Sequence, residues 1–126
     1  MKRYLLVLFF AVMLVGCAHK SASNVLVEQN SNVIINNSEL NQKVVVGKFK
    51  SKFSSNLLLA SVEVKNRSQS VIDLEYKFRW YDGAGFEVSS TPWLPLTLNA
   101  VEQRSIQRIA TTPRAKSFKF YIREKQ

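Results

Sequence analysis

A chain of 126 residues with a single cysteine, Cys17, and a single histidine, His19, offers little for catalysis. A triad for acyl transfer needs a base beside its nucleophile, usually an imidazole. His19 lies two residues from Cys17 in a polar stretch, badly placed to serve a pocket in a folded domain. A zinc site wants three or four His, Cys or carboxylate ligands, which one histidine and one thiol do not supply. Asp82-Gly83-Ala84-Gly85 has no helix after it to hold a phosphate. Glu63, Asp73, Glu75, Asp82 and Glu87 could in principle furnish a carboxylate pair for glycoside cleavage. Glu63, Asp73 and Glu75, however, alternate with apolar residues beside Lys65 and Lys77, where cross-strand charge pairing accounts for them. The residues point away from an enzyme, and no cofactor or metal is implied.

Binding chemistry is better represented. Residues 76 to 88, YKFRWYDGAGFEV, carry Tyr76, Phe78, Trp80, Tyr81 and Phe86 together with Lys77 and Arg79. Strand parity sends Tyr76, Phe78 and Trp80 to a core and leaves Arg79 and Tyr81 on the polar side. Trp93 between Pro92 and Pro95 suits either a lid over one end of the core or an exposed anchor for a protein partner. Tyr81, Trp93, Arg79 and Arg104 are the candidate contact residues for such a partner. Lys48, Lys50 and Lys52 form a second candidate, a row about 7 Å apart along one strand face. That row could meet an anionic glycan or lipid headgroups, or could guard an edge strand against aggregation.

The amino-terminal residues set the compartment. Met1-Lys2-Arg3 is a positive head, and Tyr4 to Val15 is an apolar run too short to span a bilayer, which takes about 20 residues. Leu14-Val15-Gly16-Cys17 resembles the lipobox of bacterial lipoproteins, which implies cleavage before Cys17 and acylation of its thiol. Residues 1–16 then read as a signal peptide, 17–32 as lipidated cysteine and tether, and 33–126 as one folded domain. The mature chain has 126 − 16 = 110 residues, enough for one modest core. Ala18 after the cysteine, by resemblance to the enteric sorting rule, implies the outer membrane, facing the periplasm. Net charge is +9, and +7 without Lys2 and Arg3, which favours anionic neighbours. Nucleic acid is excluded by the compartment rather than by the charge.

These residues must be positioned by strands. Leu58, Ala60, Val62 and Val64 alternate with Ser61, Glu63 and Lys65. Across the polar turn Asn66–Ser70, Ile72, Leu74, Tyr76, Phe78 and Trp80 alternate with Asp73, Glu75, Lys77 and Arg79. Two such runs predict an antiparallel hairpin with one buried and one wet face. Upstream, Val45, Phe49 and Phe53 are predicted to share a face opposite the lysine row. Residues 101–110 read as a strand, and Phe118, Phe120 and Ile122 as the inward residues of a closing one. No amphipathic helix of ten or more residues is predicted. About seven short strands imply an all-β immunoglobulin-like or fibronectin-like antiparallel β-sandwich, with a small antiparallel barrel as the alternative.

From Leu58 to about Arg123 the chain resembles the YcfL-type bacterial lipoproteins, a family built on a domain of unknown function. The resemblance rests on Asn66, on Tyr76, Phe78, Trp80, Tyr81, Asp82 and Gly85, and on Trp93, Leu98, Pro113 and Ala115. It departs at Thr112, where the pattern has alanine. The resemblance implies a lipid-anchored periplasmic β-sandwich without known catalytic residues, often encoded beside a lipoprotein activator of a peptidoglycan synthase. The expectation is a non-enzymatic binding or accessory module of the cell envelope with an envelope protein as partner.

Overall fold

The computed structural model describes residues 27–30, 33–35 and 38–126. Cys17, His19 and the predicted signal peptide lie outside the described residues. Among the described residues nine strands and one short helix follow in the order β1 (Val27–Asn30), β2 (Val33–Ile35), α1 (Ser38–Lys43), β3 (Val44–Ser54), β4 (Leu57–Asn66), β5 (Ile72–Tyr81), β6 (Glu87–Ser90), β7 (Leu94–Leu98), β8 (Gln103–Ile109) and β9 (Ser117–Glu124). Val27–Asn30, within the stretch predicted as tether and ahead of the predicted domain start at residue 33, is already paired with β2. The six residues of α1 are the other addition; a helix that short carries no periodic signal, and its buried Leu40 fixes it to the core.

Two sheets face each other. The larger runs β1-β2-β9-β5-β6, with β7 also paired to β5; the smaller is β3-β4-β8. All pairings are antiparallel except β2 with β9. Neither sheet closes on itself, so the all-β sandwich prediction holds and the barrel alternative does not.

The predicted alternation on β4 and β5 is the core. Leu58, Ala60, Val62 and Val64 from the smaller sheet meet Leu74, Tyr76, Phe78 and Trp80 from the larger, with Phe118, Phe120 and Ile122 of β9 beside them. Phe78 stacks on Trp80 with ring centroids 5.5 Å apart and meets Phe120 edge-on at 5.2 Å. Offset and edge-to-face rings complement one another's charge distribution, which adds to the burial term. Within residues 101–110 a strand forms as read, over Gln103–Ile109, with Ile106 buried and Ile109 exposed.

One predicted face is corrected. In β3 the register with β4 slips between Gly47 and Lys50, and Lys48 takes a left-handed backbone with φ 47°. The extra residue of this bulge inverts parity. Ahead of it Val44 and Val46 point inward and Val45 does not; beyond it Phe49 packs against the core and Phe53 shares the inward parity at the strand's end. Val45 therefore does not share a face with Phe49 and Phe53.

Asn66, fully buried, ties one end of the sandwich together. Its Nδ2 donates to the carbonyls of Ser70 at 2.7 Å and Asn99 at 2.9 Å, while its Oδ1 accepts from the Ser68 amide and hydroxyl, both at 2.8 Å. A buried amide with every group paired specifies its loops; an apolar residue there would orphan several carbonyls at once.

Candidate functional site: a cation–aromatic face on the larger sheet

The edge beside β5 is shared by two short strands, and the break between them makes the site. β6 pairs with the Arg79–Tyr81 end of β5 and β7 with the Ile72–Tyr76 end. Between them Thr91 keeps the ladder intact at Phe78: its amide donates to the Phe78 carbonyl at 2.9 Å, and its Oγ1 accepts from the Phe78 amide at 3.0 Å. Pro92 has no amide to donate, so the chain leaves the ladder there and returns as β7. Trp93, at this break, lies against the outer face of the sheet.

There it meets side chains from β5 and β9, whose register places Glu75 opposite Arg123, Lys77 opposite Tyr121 and Arg79 opposite Lys119. The Arg123 guanidinium sits 3.8 Å from the Trp93 ring centroid and the Lys77 ammonium 4.7 Å from it. Arg79 lies 4.6 Å from the Tyr121 centroid, with Lys77 on the same ring at 5.4 Å. Lys119 covers Tyr81 at 5.5 Å. A cation over an aromatic face is worth about 0.5–1 kcal/mol when exposed and more when desolvated. All these side chains are half-buried.

Carboxylates balance part of this charge. Arg123 Nη2 donates to Glu75 at 3.1 Å, and Arg79 approaches Glu87 at 3.9 Å. A hydrogen bond from the Gln126 amide, with Arg123 second, holds the Glu75 carboxyl below the usual carboxylate range. Lys77 is different: burial, then the neighbouring Arg79 and Arg123 charges, push its ammonium below the usual lysine value, with Glu87 opposing. Burial, followed by the Tyr121 hydroxyl beside it, raises the Tyr81 phenol to about 12. The face is a net-positive, partly dehydrated surface, with Lys77 and Lys119 in no ion pair among the described residues. Chemically it can accept carboxylate or phosphate groups alongside planar or apolar ones; it holds no nucleophile–base pair.

Three of the four predicted contact residues, Tyr81, Trp93 and Arg79, are brought together here. Trp93 does not cap an end of the core. Arg104 is not part of the face: it belongs to β8 of the smaller sheet, beside Val64, and pairs with Glu102. Sequence reasoning missed Lys77, Lys119, Tyr121 and Arg123 as members. Their outward parity was readable, but the pairing of β5 with β9 that gathers them was not.

The lysine row lies on the other sheet. Lys50 and Lys52 share the outer face with Ser61 and Leu59, while Lys48, turned by the bulge, reaches Glu63 at 3.7 Å. All three line an open groove of about 690 Å³ with Phe49, Ser105 and Gln107. Among the described residues no His, Cys, Asp and Glu cluster could hold a metal ion, and no helix is long and apolar enough to cross a membrane.

Two facing sheets, antiparallel apart from the β2–β9 pairing, define a β-sandwich with a cation–aromatic outer face. The family described as "Protein of unknown function (DUF1425)" matches residues 31–124, and the chain belongs to it. The crystal structure of Campylobacter jejuni cj0090 is similar at 27% identity and a TM-score of 0.65, covering 76% of this chain and 100% of that one. A DUF1425 family member from Shewanella sp. pv-4 has the same fold, at 24% identity and a TM-score of 0.62, covering 84% of this chain and 93% of that one. No curated protein matches the chain.

Proposed function

We propose that the protein is a lipid-anchored outer-membrane protein facing the periplasm. Its sandwich acts as a non-enzymatic binding or accessory module of the cell envelope, with the outer face of the larger sheet as its contact surface. The observation that carries this reading is the convergence of Trp93, Tyr81 and Tyr121 with Lys77, Arg79, Lys119 and Arg123 on one half-buried face. Aromatic and arginine side chains are the residues that dominate protein interfaces. The net positive charge selects an acidic protein surface as partner, and the family resemblance makes the peptidoglycan-synthesis machinery the first place to look. The lipobox around Cys17 supports the location. Reversible cross-linking of intact envelopes tests the proposal: the wild-type chain should retain a defined protein partner that Trp93→Ala and Arg79→Ala both lose. Retention of the same partner by both variants would remove this face from consideration.

A second reading has its own observation, the groove lined by Lys48, Lys50 and Lys52. It makes the smaller sheet a binding surface for an anionic glycan or for lipid headgroups. Sedimentation with peptidoglycan or anionic vesicles that fades with salt, and that the triple serine variant loses, is the expected result.

A further inference from the structure

Five large apolar residues are strongly exposed among the described residues: Phe53 (54%), Val71 (60%), Phe86 (71%), Val101 (55%) and Ile109 (48%). Three of them lie at one end of the sandwich. Phe53 closes β3 opposite Leu58, and Ile109 closes β8 opposite Leu59, so both sit at the β3–β4 tip. Phe86 ends the Asp82–Phe86 turn that follows Tyr81, and Tyr81 pairs with the first residue of β9. Lys116 joins these pieces: its amide donates to the Tyr81 carbonyl at 2.7 Å, and its ammonium lies 5.1 Å from the Phe53 ring. An added Cβ on Gly83 would stand 3.9 Å from Lys116 Cγ, so the Asp82–Phe86 turn is its immediate neighbour.

Unpaired cations outnumber carboxylates at this apex. Lys50, Lys52, Arg114 and Lys116 form no ion pair among the described residues. The local carboxylates are occupied: Asp82 Oδ1 accepts the amides of Ala84 and Phe86, both at 2.9 Å, and Glu87 faces Arg79. At the opposite end Val71 and Val101 are also exposed, but no exposed aromatic side chain accompanies them among the described residues, and two of the cations there are ion-paired, Lys43 with Glu124 and Arg104 with Glu102. Aromatic and aliphatic tips inside a collar of unmatched cations form the pattern that binds an anionic membrane interface: apolar groups enter the acyl boundary while lysine and arginine meet the phosphates. Between the tips Phe53, Asn56, Pro113 and Lys116 line only a small open hollow of about 340 Å³, and a fluid interface can meet such a surface without a complementary shape.

We infer that this apex docks on the surface of an anionic phospholipid bilayer, with Phe53, Phe86 and Ile109 entering it. The inference extends the second reading above from the lysine groove to the adjoining apex, and depends on neither the cation–aromatic face nor its partner. Chain geometry permits docking on the bilayer that would hold a lipidated Cys17. β2 runs parallel to β9 and β1 antiparallel to β2, so Val27 lies at the end away from the apex. The seven steps along β9 span about 23 Å. Ten steps from Cys17 to Val27 reach at most about 35 Å, enough to return along the domain.

The test uses the mature lipidated chain with a polarity-sensitive fluorophore on Ala84→Cys, beside Phe86, reconstituted in vesicles. Anchoring is read separately by flotation. In vesicles of phosphatidylethanolamine and phosphatidylglycerol the emission should shift to the blue and be quenched by lipids brominated in the acyl chain. Both effects should fade with salt and be absent in phosphatidylcholine alone. Phe53→Ser with Phe86→Ser should abolish the shift while flotation is unchanged. The triple serine variant of Lys48, Lys50 and Lys52 should lower it only partly, which separates the apex from the groove. An aqueous signal in both lipid mixtures with flotation intact overturns the inference, as does a shift that survives loss of both phenylalanines. So does a signal that appears only when an acidic protein is added.

Discussion

The Arg123 guanidinium lies 3.8 Å from the centre of the Trp93 ring while its Nη2 holds the Glu75 carboxylate at 3.1 Å. One side chain on β9 thereby joins the sheet edge at the β6–β7 break to the middle of β5. Trp93→Ala removes the aromatic member of this arrangement without touching the core. Urea unfolding should show a loss of only about 1–2 kcal/mol, the range for a partly dehydrated cation–π contact. A loss of the size seen for buried tryptophans would mean that Trp93 is a core residue after all.

Tyr81 carries a pH signature of the same face. Its phenol is raised from 10.0 to about 12, first by burial and then by the Tyr121 hydroxyl. The folded state therefore favours the protonated form. The stabilisation is present in full below the unfolded value near 10 and is lost as pH rises through about 12. Absorbance titration at alkaline pH should show one tyrosine ionising late, and Tyr81→Phe should remove that late step. A titration unchanged by the substitution would count against the geometry of the face.

Asn66→Ala should cost about 2–3 kcal/mol, since it leaves part-buried groups of Ser68, Ser70 and Asn99 without the partners that Asn66 supplies. Asn66→Asp should do no better, because a carboxylate cannot donate to the Ser70 and Asn99 carbonyls that Nδ2 now serves. Thermal melts of the two variants decide the matter. Near-wild-type midpoints would show that the loops hold themselves.

Trp80 is the contrasting tryptophan, 2% exposed and stacked on Phe78. Trp80→Ala should destabilise by about 3–5 kcal/mol, as for other large buried aromatics. Partner retention by the folded fraction should be unaltered, because Trp80 points away from the proposed face.

Processing at Cys17 is open to a direct measurement. Cys17→Ser should abolish labelling by a radioactive fatty acid and leave the precursor uncut. Persistent labelling would contradict the lipoprotein reading of residues 1–17.

How much of this was legible in the sequence follows from which interactions are local. The alternation on β4 and β5 survives intact because both strands bury one face against the opposite sheet, and period two reports burial directly. The Asp82–Gly85 turn was equally readable: Asp82 accepts turn amides and Gly85 takes φ 88°. The bulge at Lys48 was not, since a bulge is defined by the partner strand and a left-handed lysine leaves no compositional mark. The same limit applied to the face. Tyr81 and Arg79 stood out by parity, but Lys77, Lys119, Tyr121 and Arg123 became members only through pairing between strands far apart in sequence. Arg104 lies apart from the other three, on the smaller sheet, and nothing local assigns β8 to that sheet.

The central claim is that this face, and not the lysine groove, meets the protein partner. Photo-cross-linking from defined positions in living cells tests it most directly, with a photoreactive residue at Lys119 or Thr97 on the larger sheet and at Ser61 or Gln107 on the smaller. The account predicts a discrete protein adduct from the larger-sheet positions that disappears in a Trp93→Ala, Arg79→Ala background, and none from the smaller sheet. The same adduct from Ser61 or Gln107, with Lys119 and Thr97 silent, would contradict it.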